Sequence, residues 1–326
     1  MNITLEPDNH TFEILPKESL LDAALRAGAN VRYQCNNGSC GKCKARLLAG
    51  NLVPLFQADR PLSGDEAAAG ICLMCCNGIN SDSGEDVVLN VGRARSSVDV
   101  PVQQISAKLN RVQQLTEEIL QIELRTPRSR TLWFLAGQSV RLHLDSLLLM
   151  ATVASCPCNG MLLQFHLSPG YEPAHAMFAE RAKKGLVLGL EGPFGECTLN
   201  ENNPGPAVFV CVDEGFAAAK SIIEHAIALD WPYPVRLYWI RNRLSERYLE
   251  NYCRSWADAF EDYRYLPASA DGLAELRALP ATEPLVFKEA TWYLSGNSEA
   301  LSEVVSLLSQ LGVPENCRRI AFTDRA

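Results

Sequence analysis

The chain has 326 residues, of which 47% are hydrophobic and 21% are charged, and its formal net charge is −8. This is the composition of a folded protein of two or three domains, and the negative charge argues against nucleic acid as a partner because phosphate binding needs a basic surface. No apolar run approaches the roughly 20 residues that cross a membrane, and the first residues lack the basic-then-apolar order of a signal peptide, so a cytoplasmic location is expected.

The amino-terminal segment predicts a small domain of mixed structure. Segments 2–6 and 10–15 predict a β-hairpin around a Pro-Asp-Asn turn. Ser19 is a candidate N-cap for a helix over residues 20–27. Residues 87–91 then predict a closing strand. We therefore expect a compact domain before the polar stretch that follows, which predicts a linker.

In the remaining two-thirds of the chain, the pattern of predicted secondary structure changes once. Residues 102–203 contain short strand patterns separated by turns, which favours a small antiparallel barrel. After a Pro- and Gly-rich break, strands alternate with helices, and this alternation predicts a parallel sheet covered by helices. The predicted fold class is thus a multidomain α+β and α/β protein. The predicted domain ranges are 1–98, 102–203 and 206–326.

Three cysteines carry the strongest chemical signal in the sequence. Cys35, Cys40 and Cys43 are separated by four and then two residues, which is the spacing of ligands to a plant-type [2Fe–2S] cluster. Gly38 and Gly41 lie between them, where the absence of a side chain lets backbone N–H groups approach the cluster sulfides. The sequence therefore predicts a [2Fe–2S] site and an electron-transfer role.

The fourth ligand comes from the later group of cysteines, and the residues alone leave Cys72, Cys75 and Cys76 as alternatives. The stretch 68–75 resembles the segment around the last ligand of plant-type ferredoxins. That resemblance implies that Cys75 completes the ligand set.

The other six cysteines are scattered and mostly stand within apolar runs. We expect them to be small buried hydrophobic residues. Cys156 and Cys158 flank a proline and could look like a metal-binding pair, but no second pair stands near them in the sequence, which argues against a metal there. The remaining four are Cys197, Cys211, Cys253 and Cys317.

The order of the three segments resembles the ferredoxin–reductase fusions of the ferredoxin–NADP reductase superfamily, which include reductases of oxygenase systems. The motifs that carry the resemblance span essentially the full chain. They are residues 136–140, the Gly-Pro-x-Gly turn 192–195, the strand 207–212 with Gly215, and the late strand 292–296. The resemblance implies a β-grasp ferredoxin domain, a flavin-binding barrel and a nicotinamide-binding domain.

The positions that contact cofactors in that family differ in this chain. Leu149 and Ala151 replace the Arg and Tyr of the flavin motif Arg-x-Tyr-Ser, and only its hydroxyl remains, as Thr152. Asp213 and Glu214 stand in the Gly-Gly-Thr-Gly turn of the nicotinamide domain, where two carboxylates would repel a phosphate. The remaining flavin- and nicotinamide-like contacts are Thr152, Gly192 and Gly195.

Two further family motifs are also lost. The second flavin-phosphate motif aligns with residues 174–177, where both key residues are absent, and we expect His175 in that segment to be a surface histidine. The late Cys-Gly-Pro-Pro motif has become Ser295-Gly296-Asn297-Ser298. We therefore expect no NAD(P)H binding and leave binding of FAD or FMN open.

Two functions from different classes follow from this pattern. The first is a one-electron carrier or electron-transfer subunit with the cluster as its redox centre, serving an oxygenase, a separate reductase or a larger redox complex. No catalytic residue is assigned in that reading. The alternative is an enzyme, a flavin-dependent NAD(P)H reductase that sends electrons from flavin to the cluster.

Overall fold

The computed structural model shows two compact units, one formed mainly by residues 1–93 and the other mainly by residues 94–326. The structure describes residues 1–6, 9–29, 31, 33, 35–39, 41–59, 61–79, 84–91, 97, 100–127, 131–268 and 273–324. Cys40 and most of the expected linker lie outside these described residues.

The amino-terminal unit contains a mixed sheet crossed by a helix. Its sheet has the strand order β2-β1-β7-β3-β5, in which β1 and β7 are parallel and the other pairs are antiparallel. Ser19 caps the first helix by accepting a hydrogen bond from the backbone N–H of Asp22, as the sequence predicts. The elements are β1 (Asn2–Glu6), β2 (His10–Glu13), α1 (Leu20–Arg26), β3 (Lys44–Ala49), β4 (Leu52–Pro54), α2 (Gly64–Ala68), β5 (Ile71–Leu73), β6 (Asn77–Ile79) and β7 (Val87–Asn90).

One side of α1 supplies much of the core of this unit. Leu20, Leu21 and Ala24 are fully buried, and they belong to the same apolar cluster as Ile3 of β1 and Leu89 of β7. Burial of side chains of this size stabilises the fold by roughly 1.5–3 kcal/mol each. The helix and the sheet therefore form a firm platform for the cysteine-rich segments that surround β3 and β5.

The second unit begins with an antiparallel sheet of strand order β11-β10-β13-β8-β9-β12. A bridge between Val153 and Phe165 joins the two edges of this sheet, which curls it around an apolar core as a barrel. The strands lie close to the patterns predicted from the sequence. The elements are β8 (Gln103–Gln114), β9 (Leu120–Arg125), β10 (Ser139–Leu144), β11 (Leu147–Thr152), β12 (Leu162–Leu167), α3 (Pro173–Arg181) and β13 (Val187–Phe194).

A parallel sheet of order β16-β15-β14-β17-β18 completes this unit. The chain leaves β14 toward β15 on one side and later returns to β17 on the other, so the order reverses at the carboxyl end of β14, where open α/β sheets bind ligands. The elements are β14 (Ala207–Val212), α4 (Phe216–Ala228), β15 (Val235–Ile240), α5 (Glu250–Ala259), β16 (Tyr263–Ala268), α6 (Leu273–Thr282), α7 (Pro284–Glu289), β17 (Thr291–Gly296), α8 (Ser298–Gln310) and β18 (Arg318–Phe322).

The barrel and the parallel sheet are joined through one face of α4. The hydroxyl of Ser221 donates to the carbonyl of Ser155 at 2.9 Å, and the ammonium of Lys220 donates to the carbonyl of Ala154 at 3.1 Å. Gly137 lies so close to this helix that a Cβ atom there would sit 2.7 Å from Ile222 and 2.1 Å from the carbonyl oxygen of Cys197. These contacts fix the barrel against α4.

The predicted fold class is confirmed, whereas the ranges 1–98, 102–203 and 206–326 stay predictions. None of the helices in the described part of the chain combines the length and the apolar composition that a membrane crossing requires.

Candidate functional site

The pairing of β3 with β5 brings the two groups of cysteines together. Lys44 lies opposite Leu73, and the backbone N–H of Met74 donates to the carbonyl of Cys43 at 2.9 Å. The sulfur of Cys43 consequently lies 3.2 Å from the sulfur of Cys75. Residues that are far apart in the sequence thus meet at one end of the sheet.

Gly38 lies against the sulfurs of the later cysteine group. It has a φ of +79°, and a Cβ atom there would lie 2.5 Å from the Cβ of Ala58 and 2.8 Å from the sulfur of Cys76. Its backbone N–H also donates to the sulfur of Cys75. A glycine is needed here both for its positive φ and for the close approach of the backbone to sulfur.

The three alternatives for the fourth ligand differ in their surroundings. The thiol of Cys72 is held by the backbone of Ala45, and burial raises its pKa to about 11. The hydrogen bond from Cys43 lowers the pKa of Cys75, whereas burial raises the pKa of Cys76, whose sulfur lies 3.4 Å from that of Cys75. The sulfur of Cys75 thus lies beside the sulfur of Cys43, a cysteine of the motif, while that of Cys76 lies close to Gly38.

The described donors fit a [2Fe–2S] cluster. The sulfurs of Cys43 and Cys75 lie together and the backbone N–H of Gly38 is directed at the sulfur of Cys75, as the chemistry of such a cluster requires. Cys35 is half-buried. Cys40 lies outside the described residues, and the ligand set Cys35, Cys40, Cys43 and Cys75 stays a prediction.

The turn after β14 is occupied by internal hydrogen bonds. Asp213 is fully buried with a φ of +50°. Its carboxylate accepts the backbone N–H of Asn242 at 2.9 Å, that of Arg243 at 3.0 Å and that of Leu244 at 3.3 Å. The side chain that replaces a family glycine thus anchors the loop after β15.

Glu214, the second carboxylate of this turn, pairs with Arg243. Burial raises the pKa of Glu214 and Arg243 opposes this effect. The guanidinium of Arg243 also lies 4.6 Å from the ring centroid of Tyr171, whose hydroxyl donates to the carbonyl of Arg243 at 2.7 Å. The turn after β14 therefore holds a network of charged and aromatic side chains in which one oxygen of Glu214 and Nε of Arg243 are buried without a hydrogen-bond partner among the described residues. No spacing in the sequence pointed to Arg243 or Tyr171.

Gly215 matches the last glycine of the family motif, and close packing against β17 requires a glycine at this position. A Cβ atom there would lie 2.2 Å from the carbonyl oxygen of Ser295 and 2.6 Å from the nitrogen of Gly296. This contact holds the turn after β14 against the end of β17. Packing alone thus explains the glycine at this position, without a bound phosphate.

The barrel positions that align with the flavin motif face its core. Leu149 and Ala151 are both buried in the apolar cluster of the barrel, so neither offers a charge to a phosphate. The hydroxyl of Thr152 lies 3.0 Å from that of Ser139. The residues present thus fit an apolar barrel better than a pyrophosphate site.

The candidate contacts Thr152, Gly192 and Gly195 come to one end of the barrel through β10. Ser139 lies opposite Thr152 on one side and opposite Phe194 on the other, and the amide of Gln138 donates to the carbonyl of Gly195 at 3.1 Å. The structure brings these positions together, but their role in binding a flavin stays a prediction.

His175 is a correction to the expected surface position. It is buried at 6% exposure because α3 packs onto the barrel, and its Nδ1 accepts the backbone N–H of Ser168 at 2.9 Å. Burial lowers its pKa to about 4, and a hydrogen bond to the backbone of Met150 opposes that shift. The neutral imidazole thus ties α3 to two barrel strands.

The buried imidazole predicts a loss of stability in mild acid. The pKa of His175 is about 4 in the folded chain and about 6.5 when exposed, so the unfolded chain binds a proton first as the pH falls. The contribution of His175 to the free energy of unfolding is complete above about pH 7 and should decline by about 2 kcal/mol by pH 5. Urea unfolding of the barrel-containing unit at a series of pH values measures this decline.

The variant His175→Asn keeps an acceptor for Ser168 and should make the decline in stability below pH 7 smaller, while the buried His166, whose pKa is about 3, still contributes to it. His143→Asn, at an exposed position, is the matched control and should leave the slope unchanged. Equal slopes for wild type and His175→Asn would contradict the assignment.

The scattered cysteines divide into two groups. Cys197, Cys211 and Cys253 are buried, as expected. Cys156 and Cys158 are half-buried and exposed, respectively, and form a disulfide in a turn at the barrel edge, while Cys317 is half-buried. The expectation of buried hydrophobic residues is therefore wrong for these three, because turns at the edges of the fold leave them accessible.

The amino-terminal part of the chain matches a known protein family. Residues 3–77 match the family described as the 2Fe-2S iron-sulfur cluster binding domain. The match contains the motif cysteines and the later cysteine group, and so includes Cys43 and Cys75, whose sulfurs lie together.

Full-length relatives extend the similarity to the second unit. The chain is 26% identical to the CDP-6-deoxy-L-threo-D-glycero-4-hexulose-3-dehydrase reductase of Yersinia pestis, over 82% of this chain and 79% of the relative. It is also 26% identical to reductase component 2 of terephthalate 1,2-dioxygenase from Comamonas sp, with the same coverage. Among solved structures, the Amycolatopsis cytochrome P450 reductase GcoB has a similar fold, with a TM-score of 0.60 and 20% identity over 99% of this chain and 98% of that one.

Proposed function

We propose that this chain is a ferredoxin–reductase fusion of the ferredoxin–NADP reductase superfamily and that it is a one-electron transfer protein that uses no NAD(P)H. Its redox centre is a [2Fe–2S] cluster held by Cys35, Cys40, Cys43 and Cys75. A bound cluster of this type supplies one-electron transfer. The contribution of the chain is to hold the thiolates and to direct the N–H of Gly38 toward sulfur.

The observation that carries this proposal is the carboxylate pair in the turn after β14. A dinucleotide phosphate binds at such a turn through free backbone N–H groups at the start of a helix. Here Asp213 and Glu214 are buried in that turn and are already paired with the loop after β15. An incoming phosphate would meet two buried carboxylates, and the guanidinium of Arg243 beside them already pairs with Glu214.

The barrel supports the same proposal. Leu149 removes the bidentate, charge-assisted contact that an arginine gives to a pyrophosphate, and its side chain is covered by the core. We therefore propose that the second unit acts as a docking or assembly platform. Its partner is a redox protein, either an oxygenase, a separate reductase or a larger complex, in line with the reductase components among its relatives.

A second candidate function is an active flavin-dependent NAD(P)H reductase. It is favoured by the complete scaffold, which follows a reductase structure over 99% of this chain. A simple carrier does not need the barrel or the parallel sheet. This candidate requires flavin and nicotinamide contacts that differ from those of the family motifs.

Cofactor content separates the two functions. We expect protein purified without oxygen to contain about two irons per chain and no acid-releasable flavin. NADH and NADPH should leave the visible spectrum unchanged, whereas dithionite should bleach it. About one flavin per two irons, together with bleaching by NADH, would overturn the proposal and establish the reductase.

A further inference from the structure

Three potential metal ligands meet between the barrel and α4. Cys156 and Cys158 lie in the turn that follows β11, and His225 lies in the last turn of α4. Each sulfur is 3.9 Å from Nδ1 of His225, and the three ligand atoms all lie within 4.8 Å of one another. The sequence offered only the cysteine pair, because the histidine is 67 residues away from Cys158.

The backbone around these residues is fixed by hydrogen bonds. Ser221 lies one turn before His225 on α4, and its hydroxyl donates to the carbonyl of Ser155, next to the cysteine pair. Pro157 begins a short 3₁₀ helix, and the backbone N–H of Cys158 donates to the sulfur of Cys156 at 3.3 Å. The bond between Ser221 and Ser155 thus holds the turn against α4 without involving a ligand atom.

A carboxylate orients the histidine. Nε2 of His225 lies 3.2 Å from an oxygen of Glu201. The neutral tautomer with its proton on Nε2 donates to that carboxylate and leaves the lone pair of Nδ1 toward the sulfurs. Carboxylates that accept the second N–H of a metal-binding histidine fix its tautomer and raise its basicity. Two sulfurs, one imidazole nitrogen and a supporting carboxylate form the arrangement that zinc prefers.

We propose that the reduced forms of Cys156 and Cys158, together with His225, bind one Zn²⁺ ion, with a fourth position open to water. In this structure the two sulfurs are joined as a disulfide. A phosphine reductant supplies the two electrons that break the S–S bond and becomes the phosphine oxide by taking the oxygen of one water molecule, whose two protons give the two thiols. Zinc binding then releases the thiol protons to solvent. The oxidised pair is the metal-free form.

The zinc content of the cluster-containing protein tests this proposal. Protein reduced with a phosphine without oxygen, freed of reductant and dialysed against Zn²⁺ with a weak chelator should retain about one zinc per chain. The double variant Cys156→Ser, Cys158→Ser should retain none. Cys317→Ser, a half-buried cysteine elsewhere, is the matched control and should retain zinc like the wild type.

Two further measurements separate a ligand role from a folding effect. Glu201→Gln should weaken zinc affinity about 10–100-fold while iron content and circular dichroism stay unchanged. X-ray absorption at the zinc edge of the wild type should show sulfur near 2.3 Å and nitrogen near 2.0–2.1 Å. These readouts do not depend on the electron-transfer function of the protein.

Three results would overturn the proposal. They are the absence of zinc from the reduced wild type, equal zinc in the double cysteine variant, and equal zinc affinity of the oxidised protein. A zinc-edge spectrum with only oxygen and nitrogen neighbours would have the same meaning, since it would place the ion at another site.

Discussion

Replacing Cys75 by serine is expected to lower the iron content of the purified protein from about two atoms per chain to nearly none, whereas replacing Cys72 by serine should leave it unchanged. The difference follows from where the two sulfurs lie. That of Cys75 is 3.2 Å from the sulfur of Cys43 and accepts the N–H of Gly38. That of Cys72 is turned to the backbone of Ala45. Iron analysis and the electron paramagnetic resonance signal of the reduced protein measure the effect.

Cys72→Ser is a close control because Cys72 belongs to the same buried cluster and stands three residues before Cys75. Both substitutions introduce the same hydroxyl into the same core, so a general loss of stability would affect both variants. Cys43→Ser should behave like Cys75→Ser. Normal iron in Cys75→Ser together with loss in Cys72→Ser would assign the fourth ligand to the other cysteine.

Local patterns carried most of what the sequence could predict. The spacing of Cys35, Cys40 and Cys43 is contained in one loop, and the strands and helices of the second unit follow from periods of a few residues. These features depend on near neighbours in the chain. The fold class could therefore be derived before any contact was known.

The features that the sequence did not predict depend on distant residues. The burial of His175 results from the packing of α3 on the barrel, and nothing in its own segment indicates that covering. The meeting of Cys158 with His225 requires α4 to dock beside the barrel turn across 67 residues. Asp213 was predicted as a charge that repels phosphate, but its role in holding the loop after β15 became clear only from three hydrogen bonds.

Replacing Asp213 by alanine is expected to destabilise the second unit by about 3 kcal/mol or more. The buried carboxylate accepts the backbone N–H groups of Asn242, Arg243 and Leu244, and its removal leaves these donors without their acceptor. Hydrogen bonds to a charged group contribute roughly 1.5–3 kcal/mol each, although such values do not add simply. Urea unfolding followed by tryptophan fluorescence is a suitable measurement, because the indole N–H of Trp239 donates to the carbonyl of Asp213.

Asp145 provides a matched control for the effect of placing alanine at a positive φ. It has a φ of +53°, close to the +50° of Asp213, but its side chain is exposed in the turn between β10 and β11. Asp145→Ala therefore measures the cost of alanine at positive φ without the buried hydrogen bonds, and we expect it to be about 1 kcal/mol. The excess cost of Asp213→Ala reports the anchoring of the loop. Equal losses in the two variants would mean that the hydrogen bonds of the Asp213 carboxylate add no net stability. The fold would then not require an aspartate in the turn after β14, and a phosphate-binding sequence could stand there.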